Sequence, residues 1–209
     1  MIAVVDYGMG NLRSVVKALE KVGGRVSLTS EPSVVDRAEK VVLPGVGAFR
    51  DAMLNLRSRG LDSSVSRAIA DRKPFLGICL GLQLLFETSY EDGTYSGLGI
   101  LPGEVVRFQS DPSRPDMKVP QIGWNRVDFS APAPHFEGIP SGTFFYFVHS
   151  YYGAPADASA IAGRTDYLCT FASAVWRDNV FASQFHPEKS QRWGLKLLEN
   201  FVRLKGAGA

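Results

Sequence analysis

Sulfur and imidazole are scarce in this chain: two cysteines, Cys79 and Cys169, and three histidines in 209 residues. Two thiols can close at most one bridge, which excludes a disulfide framework. The histidines and cysteines stand at no ligand spacing, so neither a metal nor any other cofactor is expected. Net charge is nearly missing too, with 23 Lys and Arg against 21 Asp and Glu. A balance of +2 argues against nucleic acid or an anionic membrane surface as partner. No apolar run approaches membrane-spanning length. The opening MIAVVDYGMGN lacks a basic region and reaches Asp6 after a very short apolar stretch. It does not read as an export signal, and both thiols are expected to be reduced, in the cytoplasm. There is neither an internal repeat nor a low-complexity tract.

What is present is a first half of alternating strand and helix patterns. Ile2–Val5 is a short apolar run that ends in the Gly-rich turn 7–11. Leu12 to Val22 carries helical spacing and stops at Gly23-Gly24. Strands are predicted at 25–28, 40–43 and 74–78, and helices at 51–59 and 63–72. Fully apolar strands in such alternation predict a mostly parallel central sheet flanked by helices. The second half is richer in Gly, Pro and short β-like runs, at 103–109, 124–129, 143–152, 174–177 and 180–185. These add a smaller antiparallel β portion. A helix is expected from Ser190, and the tail 206–209 is expected to fray. The whole, 1–209, reads as a single domain of α/β class.

Gly77-Ile78-Cys79-Leu80-Gly81 sits between an apolar strand and a helical pattern. Glycines two residues to either side of a nucleophile let a strand turn sharply into a helix, with one side chain at the apex. A thiol there would meet the helix N-terminus, which favours thiolate and can bind a developing oxyanion. The alternative is a small buried hydrophobe, and the pentapeptide alone does not choose. His186-Pro187-Glu188 is a second element. Pro187 favours extended backbone at His186, which would put both side chains on one side. A carboxylate beside imidazole fixes its tautomer, although a histidine at a strand end can equally be a capping residue. Together the elements complete each other, since Cys79 needs a base and His186 a nucleophile.

GICLGLQLLF at 77–86, followed by QFHPEKS at 184–190, resembles the class I (triad-type) glutamine amidotransferases. Further segments, DYGMGNLRSV at 6–15, LPGVGAF at 43–49, PQIGWN at 120–125 and YFVHSYY at 146–152, resemble their glutaminase subunits of imidazole glycerol phosphate synthases. The likeness spans nearly the whole chain and is intact at the triad positions. It implies a flavodoxin-like fold with a nucleophile elbow, and hydrolysis of L-glutamine to glutamate and ammonia through a Cys79 glutamyl thioester. His186 would be the acid and base, and Glu188 its orienter.

The resemblance further implies oxyanion and substrate contacts from Gly45, Val46, Gly47, Leu80, Gln83, Ser150 and Tyr151. Ammonia would pass to a (β/α)₈-barrel cyclase subunit in a heterodimer, forming imidazole glycerol phosphate and an aminoimidazole carboxamide ribotide in L-histidine biosynthesis. Asn11, Trp124 and Lys189 are candidate interface residues. Cys169 is assigned to packing and His135, in a Pro-rich loop, to an exposed and inert position. Rival readings are a glutaminase for another synthase, a cysteine peptidase, and an inert binding module on the same fold.

Overall fold

Ile2–Val5 (β1) is buried at every position, as a strand must be when helices cover both faces of its sheet. The computed structural model describes residues 1–205, so the tail 206–209 lies outside the described residues. Leu12–Lys21 (α1) buries Val15, Ala18 and Leu19 and ends ahead of Gly23 at φ +87°. Val26–Thr29 (β2), Pro32–Arg37 (α2) and Lys40–Gly45 (β3) follow. Phe49–Ser58 (α3) and Leu61–Ala70 (α4) lead into Phe75–Cys79 (β4). The short α2, with a proline in its first turn, is the one early element that the hydrophobic spacing did not predict.

After the elbow the helix is a single turn, Leu80–Gln83 (α5). The chain then forms Phe86–Ser89 (β5), Tyr95–Ser96 (β6), Leu101–Arg107 (β7) and Gln121–Phe129 (β8). Thr143–His149 (β9) and Tyr151–Pro155 (β10) are separate strands, where the aromatic run predicts one. Ile161–Asp166 (β11), Thr170–Arg177 (β12), Val180–Ser183 (β13) and Gln191–Arg203 (α6) complete the order.

The main sheet runs β2-β1-β3-β4-β13-β12-β11-β8-β9. Pairings from β2 through β4 to β13 are parallel, and those from β13 outward to β9 are antiparallel. The antiparallel strands of the second half therefore extend the same sheet. A second sheet, β10-β7-β5-β6, packs beside it. The chain changes sheets at Ser150, whose carbonyl accepts the Phe108 amide at 3.0 Å. β13 matters most for position: it lies parallel to β4, with Ser183 opposite Ile78. Residues that follow these two strands leave the sheet side by side, at the carboxyl edge where α/β folds place their sites.

Candidate active site

Cys79 occupies φ 54°, ψ −106°, a region that side-chain-bearing residues rarely adopt and that marks stored strain. Its flanking glycines are sterically required. A Cβ on Gly81 would lie 1.8 Å from the Leu43 carbonyl oxygen, and one on Gly77 would lie 2.9 Å from both the Ala182 Cβ and the Gly81 carbonyl. The turn thus presses the elbow against β3 and β13. The thiol is reduced and 5% exposed.

His186 leaves β13 with φ −98°, ψ 98°. Glu188 does not share an extended segment with it, as predicted, but sits in a 3-10 turn, Pro187–Lys189, that folds its carboxylate back onto the ring. Nδ1 lies 2.8 Å from Glu188 Oε1, and both side chains are 2% exposed. Nδ1–H therefore donates to the carboxylate, leaving Nε2 buried and without a closed hydrogen bond, within electrostatic reach of Cys79. Burial disfavours the imidazolium, yet the nearby Cys79 sulfur and then the Glu188 carboxylate outweigh it and push the His186 pKa up to about 10. A charged imidazole is what a neighbouring thiolate would hold.

A cleft of about 360 Å³ opens over the sulfur. Val46, Gly47, Leu80, Gln83, Ser150 and Tyr151 all line it. Gly45 lies beneath, paired opposite Cys79 across β3 and β4. A Cβ there would fall 2.2 Å from the Tyr7 hydroxyl, and one on Gly47, at φ +106°, 2.5 Å from Met9 Cε. The loop 45–47 is thus packed from below while Val46 and Gly47 remain exposed. The Tyr151 carbonyl accepts from Gln83 Nε2 and His149 Nδ1, each at 2.8 Å. His149 is buried, its other nitrogen 2.9 Å from the Gln121 amide, and burial lowers its pKa to about 4. It is a neutral structural histidine.

The sequence reading missed Glu91, which also lines the cleft. Its Oε2 accepts the Phe49 amide at 2.7 Å, and burial first of all raises its pKa. Standing in the acidic turn Glu91-Asp92-Gly93, it carries no motif that separates it from a solvated loop carboxylate. Gln184 was missed as well, although a long polar side chain in the otherwise apolar or small run 180–185 is a visible signal.

Among the interface candidates, Trp124 on β8 is exposed and meets Tyr146 of β9 edge-on at 6.1 Å. The Lys189 ammonium lies 5.7 Å over the same Tyr146 ring, so the two candidates share one patch. Asn11 is exposed just before α1, which packs against the 187–189 turn. Two expectations fail. His135 is 2% exposed, stacked on Phe181 at 4.1 Å, because Phe136 anchors its 3-10 turn in the core. Cys169 is exposed, 3.4 Å from the Tyr152 hydroxyl, since it lies in the tight turn joining β11 to β12. Among the described residues no helix is long and apolar enough to cross a membrane.

Comparison with known proteins adds sequence likeness to this geometry. The family model described as Glutamine amidotransferase class-I matches residues 3–204. The chain is 56% identical over 203 residues to the imidazole glycerol phosphate synthase subunit HisH of Syntrophotalea carbinolica, covering 96% of this chain and 98% of that one. It is 55% identical to the Nitrosococcus oceani protein of the same name, over 98% of each chain. Among solved structures, PurLQS from Thermotoga maritima superposes with a TM-score of 0.73 over 96% of both chains. At 20% identity that likeness concerns the fold alone.

Proposed function

This chain belongs to the glutamine amidotransferase class-I family, and from that membership we propose that it is the glutaminase subunit of an imidazole glycerol phosphate synthase. The carrying observation is that Cys79 and His186, 107 positions apart, emerge from adjacent parallel strands with His186 charged by the sulfur's proximity. A relative 56% identical over nearly its full length supports the choice of synthase.

The Cys79 thiolate attacks the side-chain carboxamide carbon of glutamine. His186, protonated at Nε2, delivers that proton to the departing ammonia. A glutamyl thioester remains, and the now neutral Nε2 takes a proton from the attacking water. Glu188 keeps the ring oriented throughout, as in other triads. Backbone N–H groups of Leu80 and of the 45–47 loop stabilise the tetrahedral oxyanion, each donor contributing a factor of about 10²–10³. Gln83, Ser150 and Tyr151 wall the amino acid in. Glu91 receives its α-ammonium, because a half-buried carboxylate with one free oxygen is best compensated by a cation.

Released into water, ammonia would become ammonium, so it passes to a (β/α)₈-barrel cyclase subunit. Asn11, Trp124 and Lys189 contribute to the contact, and the complex works in the cytoplasm. In this reading residues 1–209 act as one amidotransferase domain.

Glutamine hydrolysis measured with and without the cyclase tests the reading. Cys79→Ala should abolish turnover in both states, and Glu91→Gln should raise KM for glutamine by about tenfold or more with a smaller change in kcat. An unaltered rate in Cys79→Ala would mean an inert thiol, and peptide turnover in place of glutamine would mean a peptidase.

A further inference from the structure

Gln184 is fully buried, one residue beyond the end of β13, and its backbone amide is fixed on the Ser173 carbonyl at 2.9 Å. Its side chain bridges two groups. On one side is Gln83 Nε2 at 3.1 Å; on the other is the Cys79 sulfur at 3.6 Å.

The direction of this bridge follows from its far end. The Tyr151 carbonyl can only accept, so the atom of Gln83 that faces it must be the amide nitrogen. That same NH₂ also faces Gln184, which must therefore present its oxygen to it. The remaining end of Gln184, turned to Cys79, is then its NH₂ group. A backbone carbonyl on β10 thus dictates that the sulfur faces a donor. Neutral His149 holds the carbonyl's other lone pair, which keeps the hub from rotating. On the protein side away from His186, the Val148 carbonyl that an S–H could reach is 4.0 Å away, at the limit of a sulfur hydrogen bond. The Gln184 amide is thus a donor that the fold fixes on the sulfur.

We infer that Gln184 is a further catalytic residue: its side-chain amide donates a hydrogen bond to the Cys79 sulfur and stabilises the thiolate before attack. The role rests on Cys79 being the nucleophile of the proposed function. Gln83 and the Tyr151 carbonyl act through it and are positioning groups. A donor that is in place before glutamine arrives makes no demand on substrate binding, so it acts on the reactivity of the free enzyme.

The pH dependence of Cys79 alkylation by iodoacetamide, without glutamine, reads this directly. Other titratable groups around the sulfur and its cleft are His186 backed by Glu188, Tyr7 from the turn after β1, His149 at the end of β9, and Glu91 across the cleft. All are retained in the test variants. Gln184→Met should move the alkylation midpoint upward by about one pH unit, the size expected for losing a hydrogen bond to a charged group. Gln184→Glu, which sets an acceptor carboxylate against the sulfur, should move it further. Gln83→Met, which leaves the Gln184 amide free to turn, should give a smaller shift in the same direction and serves if Gln184 variants do not fold. An unchanged midpoint in the folded variants overturns the inference. Because alkylation needs no glutamine, a failed glutaminase assay and a failed midpoint shift are separate results.

Discussion

Cys79 holds a strained backbone because its surroundings leave it nowhere else to go: β3 on one side, Ala182 of β13 on the other, and glycines where any Cβ would collide. Tyr7 performs a related service for the 45–47 loop. Its buried hydroxyl donates to the Pro44 carbonyl at 2.9 Å and fills the space that a side chain on Gly45 would need. Burial, and then the nearby Cys79, raises its pKa, so the phenol stays a neutral donor. Tyr7→Phe should lower stability by about 1–3 kcal/mol in urea unfolding and reduce kcat of the glutaminase more than it alters KM. A full kcat in a destabilised Tyr7→Phe would confine Tyr7 to a packing role. At this scale the sequence was informative where a residue type is chemically forced. Flanking glycines, a thiol and an HPE tripeptide are legible because few structures need them together. Glu91 was not, since a carboxylate in a polar turn has the same appearance whether it faces solvent or a cleft.

The β8–β9 ribbon is the element whose exposed surface departs most from a solvated one. Ile122, Trp124 and Phe144 are 64%, 45% and 56% exposed along it, and strand alternation puts Ile122 and Trp124 on one face. Exposed apolar surface of this kind is where the proposed cyclase contact is tested. Trp124→Ala should weaken binding to the cyclase by about tenfold or more in calorimetric titration, as removal of a central aromatic anchor does. The melting temperature of the free chain should hardly move, because a half-exposed ring contributes little to the core. Binding at full strength would place the interface elsewhere. Strand existence in this half was legible from composition. Its boundaries were not: the aromatic run 143–152 carries no sign that Ser150 transfers the chain between sheets, because that break is set by Phe108, far away in sequence. The helical pattern after the elbow carries no sign of its length either: β5, paired with β7, follows after a single turn.

For the whole molecule, three buried histidines set opposing pH limits. Burial holds His135 at about 3 and, with the neighbouring His186 as a lesser cause, His149 at about 4. Both are depressed, so the unfolded chain binds their protons first as pH falls, and stability drains from about pH 6.5 downward. While both remain neutral in the folded chain, each removes about 1.4 kcal/mol per pH unit. His186 works in the other direction. Its raised pKa of about 10 makes its contribution complete below the unfolded value and lost as pH climbs toward 10. Urea unfolding at about pH 5, 6.5 and 9 should place maximum stability near the middle value, with His135→Phe flattening the acid limb. An acid limb unaltered by that change would mean that His135 titrates normally. Overall class was readable because hydrophobic periodicity is a local signal, whereas the burial of His135 depends on α6, some 60 residues downstream.

Among the described residues β13 is the last strand laid into the sheet, and His186 follows three residues after its end. A chain emerging from the ribosome therefore carries its sulfur for more than a hundred residues of synthesis before any imidazole can reach it. Under the proposed function, polypeptides that stop short of His186 are consequently silent toward glutamine.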